Sequence, residues 1–194
     1  MSEHDSQCLA AFPEWLQRLP ADTRAFVNVL EQEHLPEAVR ARAAAALQHL
    51  VKSVDLVPQG IEELGFIETA FVLRAAAADM IRESSLSGQV GETPHGEAPA
   101  AELNGEVATL ADEAGLLEGF LGPDWPRFTR YMASLDEVVV RGHSVSTVLV
   151  DAERRSELCT RIGSFAAGYR APRFAADPKS LVKIRAFLNV KLPE

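Results

Sequence analysis

Acidic side chains cluster around one proline- and glycine-containing turn near the middle of the chain. Asp55, Glu62 and Glu68 carry carboxylate oxygens, which are the ligands that magnesium and calcium prefer. These three residues are therefore the candidates for a metal site or for an enzymatic role. Gln59 and Thr69, which stand among them, are neutral and weak ligands. We predict that Asp55 and Glu68 stabilise the backbone of the turn through hydrogen bonds, and we keep metal binding or an enzymatic use as the alternative.

A second stretch resembles the nucleophile turn of hydrolases, in which a strand, a tight turn and a helix expose a serine. Residues 142–146 read GHSVS after three valines. The second glycine of the hydrolase motif is replaced by Ser146, the upstream apolar spacing is helical, and no histidine follows His143 to act as the base. Ser144 is therefore predicted to be a helix N-cap. No catalytic residue and no cofactor is predicted, since the glycine loops that bind phosphates are also missing from the sequence.

Helices must position the acidic turn. Val57 precedes Pro58, which disfavours helical dihedrals at Val57, so residues 53–60 are predicted to form an ordered turn. The next helix is apolar on both faces over residues 64–81, as is typical of a helix in the middle of a core. Gly65 within it indicates the close approach of a neighbouring backbone.

Residues 55–69 read DLVPQGIEELGFIET. This stretch resembles the signature of the YkvA-like family of small bacterial helical domains of unknown function, roughly Asp-x-Ile-Pro-Asp-x-Ile-Pro-x-x-Gly-x-x-Asp-Asp, and aligns with it without a gap. Glu68 keeps a carboxylate where the family has an aspartate, whereas Gln59, Glu62 and Thr69 depart from the pattern. The matching positions, which the resemblance marks as structural together with Glu68, are Asp55, Pro58, Ile61 and Gly65.

Hydrophobic spacing predicts an all-α helical bundle of seven to eight helices, arranged as one bundle or as two packed helical units. The first unit covers residues 12–83, and its segment 36–83 carries the YkvA-like resemblance, which implies a helical fold but no mechanism. Residues 84–99 have the serine, glycine and proline content of a flexible linker. Residues 100–194 are predicted to form a second helical unit with a basic C-terminal end. Residues 1–11 are predicted to be a frayed tail.

Helix boundaries within these units follow cap and proline signals. A short helical turn at 12–19 is predicted to be separate from a helix at 22–33. Ser144 is predicted to start one long helix that ends near Tyr169. Asp177 and Pro178 are the N-cap and first residue of the last helix.

Charge is distributed unevenly along the chain, whose net charge is −9. Residues 1–153 contain 10 Lys or Arg and 25 Asp or Glu, a balance of −15, whereas residues 154–194 contain 9 and 3, a balance of +6. A basic surface attracts nucleic acid, anionic lipid or an acidic protein, but the acidic remainder repels nucleic acid. We predict a protein partner; peripheral membrane association and pairing with the acidic half of the chain are the alternatives. The residues predicted to contact the partner are Arg170, Arg173, Lys179 and Lys183.

The N-terminal residues 1–12 are acidic and lack the positive region and apolar run of a signal peptide, so a cytoplasmic protein is predicted. Fifteen of the 19 basic residues are arginine and alanine is abundant, which indicates a GC-rich bacterial genome. The sequence thus predicts a non-enzymatic bacterial helical interaction or scaffold module, regulatory or assembly-related, and leaves its oligomeric state open.

Overall fold

A computed structural model describes residues 2–52, 56–57, 63–90, 103, 105–140 and 142–194. Most of these residues are helical, and within these ranges the only β-type pairing is an isolated bridge between Val140 and His143. The predicted all-α bundle is confirmed. No helix in the described ranges is both long and apolar enough to cross a membrane. The helices are α1 (Glu3–Glu31), α2 (Glu37–Val51), α3 (Ile67–Val90), α4 (Gly105–Leu121), α5 (Trp125–Ser134), α6 (Val145–Val150), α7 (Ala152–Gly168) and α8 (Pro178–Lys191).

Helix α1 begins at Glu3, inside the segment that was predicted to be a frayed tail. Ser2 and Asp5 form a capping box, in which the Asp5 backbone N–H donates to the Ser2 hydroxyl at 3.0 Å and the Ser2 N–H donates to the Asp5 carboxylate at 3.3 Å. Cys8, one turn later, is fully buried. The tail prediction is therefore wrong, because the first residues are capped and packed.

Helix α1 also continues through Pro13 and Pro20, so the predicted separation of residues 12–19 from residues 22–33 is wrong. A proline inside a helix lacks the N–H that would donate to the carbonyl four residues earlier. For Pro20 that carbonyl belongs to Leu16, and it accepts a hydrogen bond from the Tyr169 hydroxyl at 2.9 Å. A contact from a distant helix thus replaces the bond that the proline removes.

Helix α3 lies at the centre of the core, as its apolar faces predicted. Phe71 is fully buried, and α3 packs mainly against α2 and α4. The helix begins at Ile67, so the buried Leu64 and Gly65, which were predicted to lie within it, precede it; Phe66 before Ile67 has a left-handed backbone conformation. The helix extends to Val90, so the first part of the predicted linker 84–99 is helical. Residues 91–99, the rest of that predicted linker, lie outside the described residues.

One charged residue, Arg74, lies in the apolar run of α3 and is fully buried. Its Nη2 atom lies 2.8 Å from Glu113 Oε2, and its Nη1 atom lies 3.4 Å from Asp22 Oδ2. The guanidinium also stacks over the Trp15 ring, 4.1 Å from its centroid. Burial lowers the pKa of Arg74 to about 10 and raises the pKa of Asp22. This ion-pair network joins α1, α3 and α4.

The second half of the chain shares the same core. The predicted single helix over residues 144–169 is divided, because α6 ends at Val150 and the Asp151 side chain caps α7 by accepting hydrogen bonds from two backbone N–H groups. Ser144 caps α6, as predicted, by accepting from the Thr147 N–H at 3.2 Å. Each of α1–α8 contributes buried side chains to one continuous hydrophobic cluster, so the two predicted units are packed together.

Candidate functional site

The structure describes part of the acidic turn. Asp55, Pro58 and Glu62 lie outside the described residues, whereas Gly65 and Glu68 are described and buried. Of the three candidate residues for the metal or enzymatic alternative, Glu68 is therefore the only one that the structure describes. In the part of the chain that the structure describes, no group of three or more His, Cys, Asp or Glu side chains lies close enough to hold a metal ion.

The Glu68 carboxylate lies at the start of α3, and both of its oxygens accept hydrogen bonds. Oε2 accepts from the backbone N–H groups of Leu56 and Val57, the latter at 3.0 Å. Oε1 accepts from the Tyr131 hydroxyl of α5 at 2.9 Å. Hydrogen bonds to an ionised carboxylate are roughly twice as strong as neutral ones. One side chain thus joins the turn, α3 and α5.

Four side chains form a polar cluster at this carboxylate: the buried His49 and Glu68, and the partly exposed Lys52 and Tyr131. The Tyr131 hydroxyl contacts Lys52 Nζ and lies 3.2 Å from His49 Nδ1. His49 Nε2 lies 3.4 Å from Glu68 Oε1. Burial, and after it the Lys52 charge, lowers the pKa of His49 well below its usual value, so the ring is neutral at neutral pH.

The cluster contains the residue types that transfer protons in active sites, but its inner members are closed to solvent. The side chains of His49 and Glu68 are 0% and 3% exposed, and Glu68 is bonded to backbone amides as well as to Tyr131. A general base has to reach a substrate proton directly or through one water. This geometry therefore suits a brace between α2, α3 and α5 better than a reaction site.

Sequence reasoning missed Tyr131 as a partner of Glu68, and Lys52 as a contact of Tyr131. Tyr131 is 63 residues from Glu68 along the chain, so no local spacing connects the two. The available signal was Glu68 itself, since a carboxylate in an apolar helix must find hydrogen-bond donors when it is buried. That signal predicts that donors exist without saying which residues supply them.

Part of the basic C-terminal end pairs with the acidic half of the chain. Arg185 of α8 lies 2.9 Å from the Asp5 carboxylate, and Arg155 of α7 lies 2.7 Å from that of Glu33. The hydrogen bond from Arg185 is the main reason that the pKa of Asp5 lies below its usual value. Arg185 also stacks over the Phe120 ring, 4.6 Å from its centroid. These arginines are used within the fold, as one alternative reading of the sequence expected.

The residues predicted to contact a partner are arranged differently. Arg170, Arg173, Lys179 and Lys183 are all exposed, and we call these four residues the basic surface. Lys183 forms an exposed ion pair with Glu63 at 3.4 Å. None of the ion pairs found among the described residues involves Arg170, Arg173 or Lys179.

The basic surface has one part after α7 (Arg170 and Arg173) and one part on α8 (Lys179 and Lys183), and both lie near the residues that precede α3. The ring of Tyr169, next to Arg170, lies 5.4 Å from the ring of Phe66, and Lys183 pairs with Glu63. Phe66 has a φ of 64°, a left-handed conformation that is rare for a bulky residue. The end of α7 and the first half of α8 therefore both contact the same short segment, residues 63–66.

No protein-family model, curated protein or solved structure matches the chain. The resemblance to the YkvA-like family stays a prediction that depends on residues 55–69.

Proposed function

We propose that this chain is a non-enzymatic helical interaction or scaffold module of a bacterial cytoplasm, related to YkvA-like domains, that binds an acidic protein partner through the basic surface. The observation that carries the proposal is the exposure of Arg170, Arg173 and Lys179 outside every described ion pair. The first 153 residues contain an excess of 15 negative charges, so carboxylates are abundant in the same chain. A regulatory or assembly role fits a module of this kind.

Electrostatics favour an acidic protein over a nucleic acid or an anionic membrane as the partner. A nucleic acid or an anionic membrane presents negative charge over a wide area, which would also approach the acidic part of this chain within the Debye length of about 8 Å at physiological salt. An acidic patch on a protein can be confined to the area opposite the basic surface. Complementary charge of that kind speeds association and selects the partner more than it adds affinity.

The polar cluster around Glu68 supports a role without catalysis. Glu68 and His49 are closed to solvent and bonded within the fold, so they act on stability. No described contact favours the metal-binding or enzymatic alternative. We therefore assign the function to the surface, where charged groups remain open to a partner.

The proposal is tested by affinity capture with the tagged chain from a lysate of the bacterium that encodes it. One stoichiometric protein partner is expected. The charge-reversal variants R170E/R173E and K179E/K183E should each weaken its binding by at least about tenfold, or roughly 1.4 kcal/mol, and higher salt should weaken the wild-type complex. Measured affinities of the identified partner give these values.

The matched control is R24E/R130E, which makes the same charge change at two exposed arginines outside the basic surface. It should bind the partner as the wild type does, and all variants should keep the wild-type melting temperature because exposed charges contribute little to stability. Equal loss of binding in the control would mean that only net charge matters. Capture of the same partner by every variant would refute the proposal.

A further inference from the structure

The outer face of α8 carries an apolar ridge between its basic residues. Val182 and Val190 are 64% and 79% exposed, and Ala186, midway between them, is exposed too. Residues four apart form a continuous ridge on a helix, which packs into the groove of a second helix. The ridge is about 12 Å long, at a rise of roughly 1.5 Å per residue. Lys179 and Lys183 form the neighbouring ridge at the same spacing.

The opposite face of α8 is already used by the core. Leu181, Ile184 and Leu188 are buried, so this helix is apolar on its inner face and partly apolar on its outer face. A surface helix that packs on one side alone normally keeps its other face polar. The outer valines are therefore an excess of apolar surface that internal packing does not explain.

Helix α8 is held rigidly enough to present this ridge. Arg127 of α5 donates hydrogen bonds to the carbonyls of Asn189, Leu192 and Pro193, at 2.9, 2.7 and 3.1 Å. A salt bridge of 2.8 Å to Asp124 fixes the same guanidinium. The carbonyls at the end of α8 are thus capped by a side chain of α5, and little ordering is needed when a partner binds.

Charge on α8 identifies the complementary partner. The helix contains no acidic residue between Pro178 and Lys191, so the charges that α8 itself places beside the ridge are all basic. A partner helix that complements this face would present an apolar groove to the ridge. It would also place carboxylates beside Lys179 and Lys183. Membrane insertion normally uses larger side chains such as Trp, Phe and Leu, which the outer face does not carry.

A second copy of the chain offers no such helix in the described ranges. Outside α8, the large apolar side chains that are exposed there are Leu86, Val139 and Val150. They belong to three separate elements, so they do not form a ridge. The occupant is therefore a different protein.

We infer that the outer face of α8 binds an acidic amphipathic helix of a partner protein, with the ridge Val182–Ala186–Val190 in its apolar groove and Lys179 and Lys183 beside its carboxylates. This inference rests on the proposed function and makes it specific, since it states the chemistry and the secondary structure of the recognised segment.

The test uses two fluorescent helical peptides and the full chain, with binding measured by fluorescence anisotropy. The first peptide has leucines along one face and glutamates elsewhere; the second replaces each leucine by glutamine. Both carry the same hydrocarbon staple, because short isolated helices are marginal in water. The leucine peptide should bind at least about tenfold more tightly than the glutamine peptide, and K179E/K183E should weaken both.

The variant V182Q/V190Q should remove the preference for the leucine peptide. Its matched control is V139Q/V150Q, which makes the same change at two other exposed valines and should keep the preference. Glutamine is a good helix former, so α8 stays intact, and circular dichroism checks this.

In the binding measurements, any of four outcomes would overturn the inference. Three concern the peptides: both bind equally, neither binds, or the control variant V139Q/V150Q also loses the preference. The fourth is that vesicles of phosphatidylglycerol bind the chain more tightly than the leucine peptide does and that V182Q/V190Q abolishes the vesicle binding. The affinity capture described above is read separately: a captured partner that depends on the basic surface but is unaffected by V182Q/V190Q leaves the proposed function standing and removes this inference. Capture that ignores the charge reversals removes both.

Discussion

Helices α3 and α8 both carry charged residues, and the two helices use them in opposite ways. On α3, Glu68 and Arg74 are buried, and each is bonded to groups from other elements. On α8, Lys179 and Lys183 are exposed on the outer face, beside an exposed apolar ridge. The residue types that most resemble a catalytic site are closed inside the fold, whereas the groups open to other molecules are of the kind that bind.

The difference has a physical basis. A buried charge has lost its hydration, so it persists in the native state when other groups solvate it. An exposed lysine keeps its hydration and needs no partner within the chain. Substitutions on α3 should therefore act on the free energy of unfolding, and substitutions on the outer face of α8 should act on binding.

The largest expected effect separates these two regions at Glu68. Replacing Glu68 by alanine removes the acceptor of the Leu56 and Val57 N–H groups and one partner of the Tyr131 hydroxyl, and each buried group left unsatisfied costs roughly 1–3 kcal/mol. We expect a loss of about 3 kcal/mol or more in the free energy of unfolding, measured by urea denaturation. Glu68→Gln should lose less, because its amide keeps one oxygen acceptor.

Glu118→Ala is the matched control for this change, since Glu118 is exposed on α4. It should alter the free energy of unfolding by no more than about 0.5 kcal/mol. If Glu68→Ala unfolded at the same urea concentration as the control, the carboxylate would not brace the fold, and a role for Glu68 in chemistry would regain support.

An intermediate effect is expected at Tyr169, which is half-buried and precedes the basic surface. Tyr169→Phe removes the hydroxyl that donates to the Leu16 carbonyl, to which Pro20 cannot donate because it lacks an N–H. The change should lower the free energy of unfolding by about 1–2 kcal/mol. Burial raises the pKa of Tyr169 above its ordinary value of 10.0. The folded chain therefore keeps this proton more tightly than the unfolded chain, so stability should fall as the pH rises above about 10.

The thiols of Cys8 and Cys159 add to the same alkaline trend, because burial raises the pKa of each to about 11. The contribution of Tyr169 is therefore measured as the difference in pH dependence between wild type and Tyr169→Phe. The variant should lose stability less steeply above pH 10. Parallel curves would mean that the phenol is not protected by the fold.

The burial of α3 was predictable, because its apolar faces are a local pattern. Arg74 was not predicted as a buried charge, since its partners Asp22 and Glu113 come from distant parts of the chain. Sequence reasoning singled out Gly65 for the close approach of a neighbouring backbone and did not single out Phe66, which adopts a left-handed conformation in the structure. Its ring packs against Phe165 and Tyr169 of the distant α7 region, which no local pattern contains.

Errors at α1 have the same origin. Residues 12–19 and 22–33 were predicted to be separate, and Pro20 lies between them; an interior proline costs about 3 kcal/mol in an isolated helix. In the fold, burial of Phe12, Trp15 and Leu19 and the hydrogen bond from Tyr169 offset that cost. On α8, by contrast, the caps and the charges are local, and the exposure of Lys179 agreed with expectation.

The smallest expected effect on stability is at the ridge of α8. Val182→Gln with Val190→Gln removes apolar surface that is already in water, so the folded and unfolded states lose similar interactions. Glutamine also has a higher helix propensity than valine. The free energy of unfolding should change by no more than about 0.5 kcal/mol in urea denaturation, although the same variant is expected to lose its preference for the leucine peptide. A large loss of stability would mean that the ridge packs within this chain. Substitutions on the outer face of α8 would then act on stability, as those on α3 do, and the contrast between the two helices would not hold.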